Sequence, residues 1–186
     1  LIQTMSNAVT IIFPHQLFKT NPAISAGLKV YLVEEFLFFK HYKFHKQKLV
    51  LHRASMKTYV NYLTAKKIKV EYIEATDERS DIRKLIAHID KQKVTAVHIA
   101  DVTDYLLRRR IVKACTATGI KLTEYPSPYF LNTMTDVKTH FDKKKTYFQT
   151  GFYTEQRKKR NILLDGSGGP EGGQWTFDAD NRMKFP

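Results

Sequence analysis

Cysteine is almost absent from this sequence of 186 residues, which contains only Cys115. A single cysteine excludes an internal disulfide framework. It also excludes a zinc or iron–sulfur site with four thiolate ligands from this chain alone. Long apolar runs are absent too, since none reaches the roughly 18 residues that a membrane span needs. The first residues show no secretion signal, so the sequence predicts a cytoplasmic protein with no membrane partner.

The sequence also lacks the usual motifs of nucleotide binding and catalysis. No G-x-G-x-x-G segment or Walker lysine motif occurs, and glycine concentrates in residues 165–186 instead. No serine or cysteine lies beside a base in a nucleophilic pattern, so no catalytic residue is predicted. His41 and His45 are four residues apart on a predicted helix, which is a metal-binding spacing. No acidic residue lies nearby to complete the set, and we predict no metal site.

Acidic residues are scarce relative to basic ones. The chain has 31 Lys and Arg but 18 Asp and Glu, a formal charge of +13. Residues 36–70 contain nine basic residues and no acidic one, and further basic clusters lie at 143–145 and 157–160. Aromatic residues interleave with these clusters. Such a pattern favours a polyanionic partner such as nucleic acid, although a solvated helix face has the same composition.

Apolar patterning predicts alternating strands and helices. Five short apolar or β-branched segments are strand candidates: 8–13, 30–33, 68–73, 96–100 and 120–125. Between them, helical stripes run through Leu49–Leu63, Ile82–Ile89 and Leu107–Thr118, the last followed by Gly119 as a helix terminator. Cys115 lies at the edge of the third stripe and is expected to pack as a small hydrophobe.

This alternation predicts an α/β fold: a doubly wound, Rossmann-like, mainly parallel sheet of five strands with helices on both faces. Residues 1–134 are assigned to this domain. Residues 135–186 are assigned to a basic helical connector and a glycine-rich arm. The arm carries Trp175 and Phe177, which we expect to pack on the α/β domain, on a further domain or on a second copy of the chain.

Ligands of open parallel sheets bind beyond the carboxyl ends of the strands. Gln16 follows the first strand and offers the donor and acceptor that a heterocycle edge needs. Glu34 follows the second strand and suits a ribityl or ribose hydroxyl. Asp101 and Asp104 follow the fourth strand. All of these residues have the simpler interpretation that they cap helices and close turns, and both aspartates are N-cap candidates.

Four segments together resemble a known family. They are Ile11–Leu17, Val33–Glu35 with the basic helix start at His41–Lys48, Pro128–Leu131, and a longer pattern near the C-terminus. The last comprises Phe152-Tyr153, Arg157–Leu164, Gly166, Gly172–Asp178 and Asn181-Arg182. The chain resembles the N-terminal part of bacterial cryptochrome/photolyase-related proteins, the photolyase branch with an iron–sulfur cluster.

The resemblance implies an α/β domain followed by a helical domain that this sequence does not contain. In the family that helical domain holds FAD, the iron–sulfur cluster and the DNA lesion, and the α/β domain can hold a ribityllumazine antenna. The candidate antenna or ligand contacts are His15, Gln16, Leu17, Glu34 and Asp101, of which Gln16 and Glu34 are carried over from the resemblance. Pro14-His15 and Asp101–Tyr105 depart from the family pattern near that pocket.

The expected function is therefore the antenna domain of a light-dependent DNA photolyase, inactive as a catalyst without its helical domain. The expected partners are the antenna, the helical domain, DNA and a second copy through the arm. Two alternatives remain, a basic nucleic-acid-binding module and a nucleotide-binding domain of the universal-stress type. The candidate DNA contacts are Lys143, Lys144, Lys145, Arg157, Lys158, Lys159 and Arg160.

Overall fold

A parallel five-stranded sheet forms the centre of the first part of the chain. The computed structural model describes residues 7–25 and 27–177. The strands are β1 (Ala8–Ile12), β2 (Lys29–Val33), β3 (Val70–Ile73), β4 (Ala96–Ala100) and β5 (Lys121–Tyr125). Their order is β3-β2-β1-β4-β5, and all neighbouring pairs are parallel. The predicted α/β fold is confirmed.

The central strand β1 is buried along its whole length, because both of its faces are covered. Its side chains alternate between two apolar cores. Ile11 belongs to the core under Ile86 and Ile111, whereas Ile12 belongs to the core with Met56 and Leu63. Consecutive side chains point to opposite faces, and both faces are covered by apolar cores. The strand therefore appears in the sequence as a largely apolar run without polar alternation.

Helices cover both faces of the sheet, as the stripes predicted. They are α1 (Phe36–Phe39), α2 (Lys46–Ala65), α3 (Ile82–Lys91) and α4 (Tyr105–Thr118), with a 3-10 turn at Glu78–Ser80. Helix α2 packs over one face and helices α3 and α4 over the other. Gly119 ends α4 in the left-handed region with φ of +74°, which confirms its predicted role.

One helix prediction is wrong. His41 is not helical, since α1 ends at Phe39 and α2 begins at Lys46. His45 is the N-cap of α2, where its Nδ1 accepts from the backbone N–H of Gln47 at 3.3 Å. The aromatic side chains between the two helices pack edge to face, with 4.4 Å between the His41 and Tyr42 ring centroids and 6.0 Å between those of Tyr42 and Phe44. The four-residue histidine spacing therefore does not place both rings on one helix face.

Two predictions for α4 are confirmed, the N-cap role of Asp104 and the burial of Cys115, whereas the N-cap prediction for Asp101 is wrong. Asp104 is the N-cap, and its carboxylate accepts from the Leu107 N–H at 2.7 Å. Cys115 is buried in the core of the α3 and α4 face, and burial raises the pKa of its thiol to about 11. Asp101 is not the cap of α4; it closes the preceding turn instead.

The described chain divides into two compact units, residues 7–131 and residues 132–177. The second unit contains α5 (Met134–Phe141) and α6 (Gln149–Arg160). Phe141 and Phe152 pack together with 5.3 Å between ring centroids. Thr133 and Asp136 form a capping box at the start of α5. Within the described ranges, no helix is both long and apolar enough to cross a bilayer.

Candidate functional site

The carboxyl ends of β1 and β4 flank the point where the strand order reverses. The chain runs from β1 outward to β2 and β3, then returns to β4 on the other side of β1. Loops that leave adjacent strands in opposite directions open a crevice between them. A cavity of about 450 Å³ lies there. Its lining residues come from the segments after β1, β2, β4 and β5: His15, Phe38, Val102, Thr103, Asp104, Tyr129 and Phe130.

His15 is the residue of the β1 loop that lines this cavity. Its Nε2 lies 2.9 Å from the carbonyl oxygen of Val102. A carbonyl only accepts, so Nε2 carries the proton and Nδ1 of the neutral ring is an acceptor. Burial lowers the pKa of His15 despite the hydrogen bond to Val102 and the nearby Asp104, which keeps the ring neutral. Nδ1 is buried and has no hydrogen-bond partner among the described residues.

Gln16 lies directly behind His15 and is almost completely buried. Its amide nitrogen donates to the carbonyl oxygens of Ala100 at 2.9 Å and Asp101 at 3.2 Å. These bonds fix the amide orientation and tie the β1 loop to the end of β4. The amide oxygen Oε1 finds no partner in the described part of the chain. Two buried acceptors on consecutive residues are thus left unused at the switch point.

Aromatic rings form the walls of the cavity. Phe38 tilts against the His15 ring with 5.1 Å between centroids. Phe18 contacts the edge of Tyr129 at 5.3 Å and so positions the segment after β5. Tyr129 and Phe130 remain more than half exposed. Such rings supply the flat apolar surfaces on which a heterocycle stacks.

The loop after β4 holds a left-handed residue at the cavity. Thr103 has a φ of +56°, which is costly for a β-branched residue. The Asp101 carboxylate stabilises this turn by accepting from the Thr103 N–H at 2.8 Å. Asp101 therefore shapes the cavity wall rather than lining the cavity itself.

Glu34, at the end of β2, has its carboxylate fully engaged by the protein. Arg53 donates to it twice, at 2.6 and 2.5 Å. The Tyr72 hydroxyl and the Ala75 N–H donate at 2.5 and 2.7 Å. Burial would raise the pKa of Glu34, but the donors from Arg53, Tyr72 and Ala75 outweigh burial and hold it below the ordinary value. Glu34 joins β2, β3 and α2 at this edge of the sheet.

Glu35 is a second buried carboxyl, and it points to the opposite helix layer. It accepts from the Leu37 N–H at 2.5 Å and from the Ile82 N–H at 3.4 Å. Burial raises its pKa to about 7, although both N–H groups and the positive charge of Arg110 act against burial. It links the start of α1 to the start of α3.

Of the five sequence-predicted ligand contacts, the structure places one in the cavity lining, His15. Gln16 and Asp101 lie behind the lining. Leu17 packs against the core under α2, and Glu34 lies in its own polar cluster. Sequence reasoning missed Phe38, Tyr129 and Phe130. The signal for the last two was present in the chain, since they follow the fifth strand of the same parallel sheet.

The basic candidates of the second unit fall into two groups. Lys143, Lys144 and Lys145 are exposed, next to exposed Tyr147 and Phe148. Lys144 also lies 2.5 Å from His140. On α6, Lys158 is exposed, Lys159 pairs with Asp136 at 2.6 Å, and Arg160 donates to Asn132 at 2.7 Å.

Arg157 has a structural role in the second unit. It is buried, and its guanidinium donates to the carbonyl oxygens of Ile162, Leu163 and Trp175. The same group lies 5.2 Å from the centroid of Trp175. Trp175 is thereby held within its own unit. Phe177 is about half exposed. Asp178, Asn181 and Arg182, which complete the predicted C-terminal pattern, lie outside the described residues.

Metal-binding side chains do not cluster across residues 7–25 and 27–177. In that range, no group of three or more His, Cys, Asp or Glu side chains is arranged to hold a metal ion. The chemistry that the cavity offers is hydrogen-bond acceptance and aromatic stacking.

Comparison with known proteins finds a family whose sequence model matches this chain. The sequence model of the family described as deoxyribodipyrimidine photo-lyase-related protein matches residues 10–186. The uncharacterized protein R852 of Acanthamoeba polyphaga mimivirus is 35% identical over 190 residues, which cover 96% of this chain and 95% of that protein. A (6-4) photolyase of Agrobacterium fabrum is 24% identical over 142 residues, which cover 75% of this chain and 28% of that enzyme. The chain thus matches only about a quarter of the photolyase.

Proposed function

Because this chain belongs to the deoxyribodipyrimidine photo-lyase-related protein family, we propose that its α/β unit binds an antenna chromophore of the ribityllumazine type. The observation that carries the proposal is the cavity at the topological switch point. It has aromatic walls and an unused acceptor on its lining residue His15, and a second unused acceptor lies behind the lining on Gln16. A cavity of about 450 Å³ is within the size range of small-molecule sites.

The unused acceptors match the donors of such a chromophore. A ribityl chain carries hydroxyl groups and a lumazine ring carries an imide N–H, and both donate hydrogen bonds. Leaving a buried acceptor unpaired costs about 1–3 kcal/mol. Binding a donor at Nδ1 of the lining residue His15 recovers that cost. When bound, an antenna absorbs light and passes its excitation to a flavin.

Other residues of the site act by positioning. Phe38, Tyr129 and Phe130 supply the faces on which the heterocycle stacks. Asp101 holds Thr103 in its strained conformation, and Glu34 holds the end of β2 against α2. Since Arg53, Tyr72 and Ala75 already use the Glu34 carboxylate, we assign the polar ligand contact to His15 instead.

The wider function is proposed from family membership. We propose that the α/β unit serves a light-dependent DNA repair flavoprotein of the iron–sulfur photolyase branch, as found in bacteria. FAD, the cluster and the lesion site would belong to a helical domain outside these residues. In this scheme the α/β unit harvests light and carries no catalytic residue.

The test of chromophore binding is a fluorescence titration with 6,7-dimethyl-8-ribityllumazine. We expect saturable quenching with one site per chain. His15→Phe keeps the ring shape but removes both nitrogens, so affinity should fall at least tenfold. His41→Phe makes the same change at an exposed ring outside the cavity and should leave affinity unchanged. Absence of saturable binding by the folded wild type, or equal affinity in both variants, would refute the proposal.

A second function has its own supporting observation. Lys143–Lys145 are exposed beside Tyr147 and Phe148, which are 77% and 68% exposed. Exposed cations beside exposed rings are the pattern of single-stranded nucleic acid binding. We therefore infer a nucleic-acid contact at this segment.

Fluorescence anisotropy with a labelled oligonucleotide at several salt concentrations tests it. Replacing the three lysines by Gln should reduce the slope of log K against log salt by about 2, since each phosphate neutralised on a single strand contributes about 0.7. Replacing Lys91, Lys93 and Lys121 by Gln removes the same charge from the first unit. If both triple variants reduce the slope equally, binding is a diffuse charge effect and the assignment is wrong.

A further inference from the structure

A groove lies between α3 and α4, in the helix layer that covers one face of the sheet. Its volume is about 550 Å³. Small side chains make it possible, because Ala87 on α3 and Ala114 and Ala117 on α4 leave room between the helices. Leu106, which is half exposed, completes an apolar floor with these alanines.

Four cations surround this apolar floor. Arg83 is on α3, and Arg109, Arg110 and Lys113 are on α4. Asp81 pairs with Arg83 at 2.5 Å. For the other three, no carboxylate of the described residues lies within the 4 Å of an ion pair; the neighbouring Arg108, by contrast, pairs with Glu124 at 2.7 Å. Arg110 also interacts at longer range with Glu35 and Asp81. Four cations against these two carboxyl groups still leave the groove with an excess of positive charge.

Arg110 supplies a separate indication of a ligand. Its Nη1 is buried and has no hydrogen-bond acceptor among the described residues. The guanidinium carbon lies 5.8 Å from the Phe36 ring centroid, a contact that offers no lone pair to Nη1. A buried charged donor without an acceptor is costly, so an acceptor from outside these residues is the natural partner.

We propose that this groove binds an organic anion with an apolar body, whose charged group contacts Arg110 and whose body covers the apolar floor of Leu106, Ala114 and Ala117. The apolar floor favours this class over a nucleic-acid backbone, because phosphodiesters need cations but gain nothing from hydrocarbon. The volume also fits a ligand of small-molecule size. The site is separate from the antenna cavity, with which it shares no lining residue.

The probe for the test is 1-anilinonaphthalene-8-sulfonate, followed by its fluorescence and by amide chemical shifts of the labelled protein. We expect saturable binding and shifts centred on α3 and α4. Decanoate should displace the probe, whereas decanol and inorganic sulfate at equal concentration should not. This comparison distinguishes binding of an amphipathic anion from binding of a purely apolar ligand or of a small inorganic anion.

Two variants and a control locate the site. Arg110→Gln should weaken binding at least tenfold, since a charge-assisted hydrogen bond is removed. Ala117→Phe should abolish binding by filling the groove. Thr116→Phe adds a ring to the same helix at an exposed position that does not line the groove. This variant should bind the probe as the wild type does. Unchanged affinity in both groove variants, or chemical shifts confined to the His15 cavity, would overturn the proposal.

Discussion

Replacing Arg53 by Met tests how much the stability of the fold depends on the ion pair between Arg53 and the buried carboxylate of Glu34. Arg53 forms two charged hydrogen bonds to Glu34, whose side chain is fully buried, while Arg53 itself is 47% exposed. In the variant, Glu34 keeps the Tyr72 hydroxyl and the Ala75 N–H but loses its countercharge. The methionine preserves most of the apolar stem of the arginine.

The magnitude follows from the burial of the carboxylate. Removing one partner of a fully buried ion pair costs about 3–5 kcal/mol. Exposure of Arg53 to solvent and the two remaining donors reduce that figure, so we expect a loss of about 2–3 kcal/mol at pH 7. Urea unfolding followed by circular dichroism measures this loss directly as a fall in the midpoint.

The loss should depend on pH in a defined direction. The pKa of Glu34 is held below its ordinary value of 4.5 in the folded wild type. Its contribution to stability is therefore present above pH 4.5 and lost as pH falls through the lower folded pKa. In Arg53→Met, burial dominates and the folded pKa rises, so protonation relieves the cost. The difference in stability between variant and wild type should be clearly smaller at about pH 4 than at pH 7.

Arg108→Met is the matched control. Arg108 makes the same paired contact with Glu124, at 2.9 and 2.7 Å, but this carboxylate is 24% exposed. Exposed pairs contribute about 0.2–1 kcal/mol, so the control should be destabilised by less than about 1 kcal/mol with little pH dependence. Equal losses of stability in the two variants, or a loss for Arg53→Met that is the same at neutral and acidic pH, would contradict the reasoning.

Three further predictions concern single residues. Gly119→Ala should destabilise the protein by about 1 kcal/mol in urea unfolding, because φ at this position is +74°; unchanged stability would show that the helix end rearranges. Cys115 should resist a thiol reagent in native buffer and react only on unfolding, since it is buried and burial raises its pKa to about 11; fast native labelling would be inconsistent with this. Arg157→Met should expose Trp175 and shift its emission to longer wavelength, because the variant cannot donate to the three carbonyl oxygens and loses the guanidinium contact with the ring, which leaves Lys158 as the cation near it; an unchanged spectrum would show that Lys158 or other groups hold the ring.

Local sequence signals determined the elements and the class of fold. The β-branched run at β1, the stripes of α3 and α4, and Gly119 all act through chain geometry within a few residues. Such signals are present in the sequence itself. They failed at His41–Phe44, which lies between α1 and α2 although the four-residue histidine spacing favoured a helix.

The site depended on contacts between residues far apart in sequence. Position at a strand end identified His15 and Gln16, but it did not show that Arg53 and Tyr72 donate hydrogen bonds to the Glu34 carboxylate from 19 and 38 residues away. Nor did it show that Tyr129 would form a wall opposite Phe38. Only the tertiary structure decided these partnerships, because parallel pairing brings together strand ends that the chain separates by whole helices.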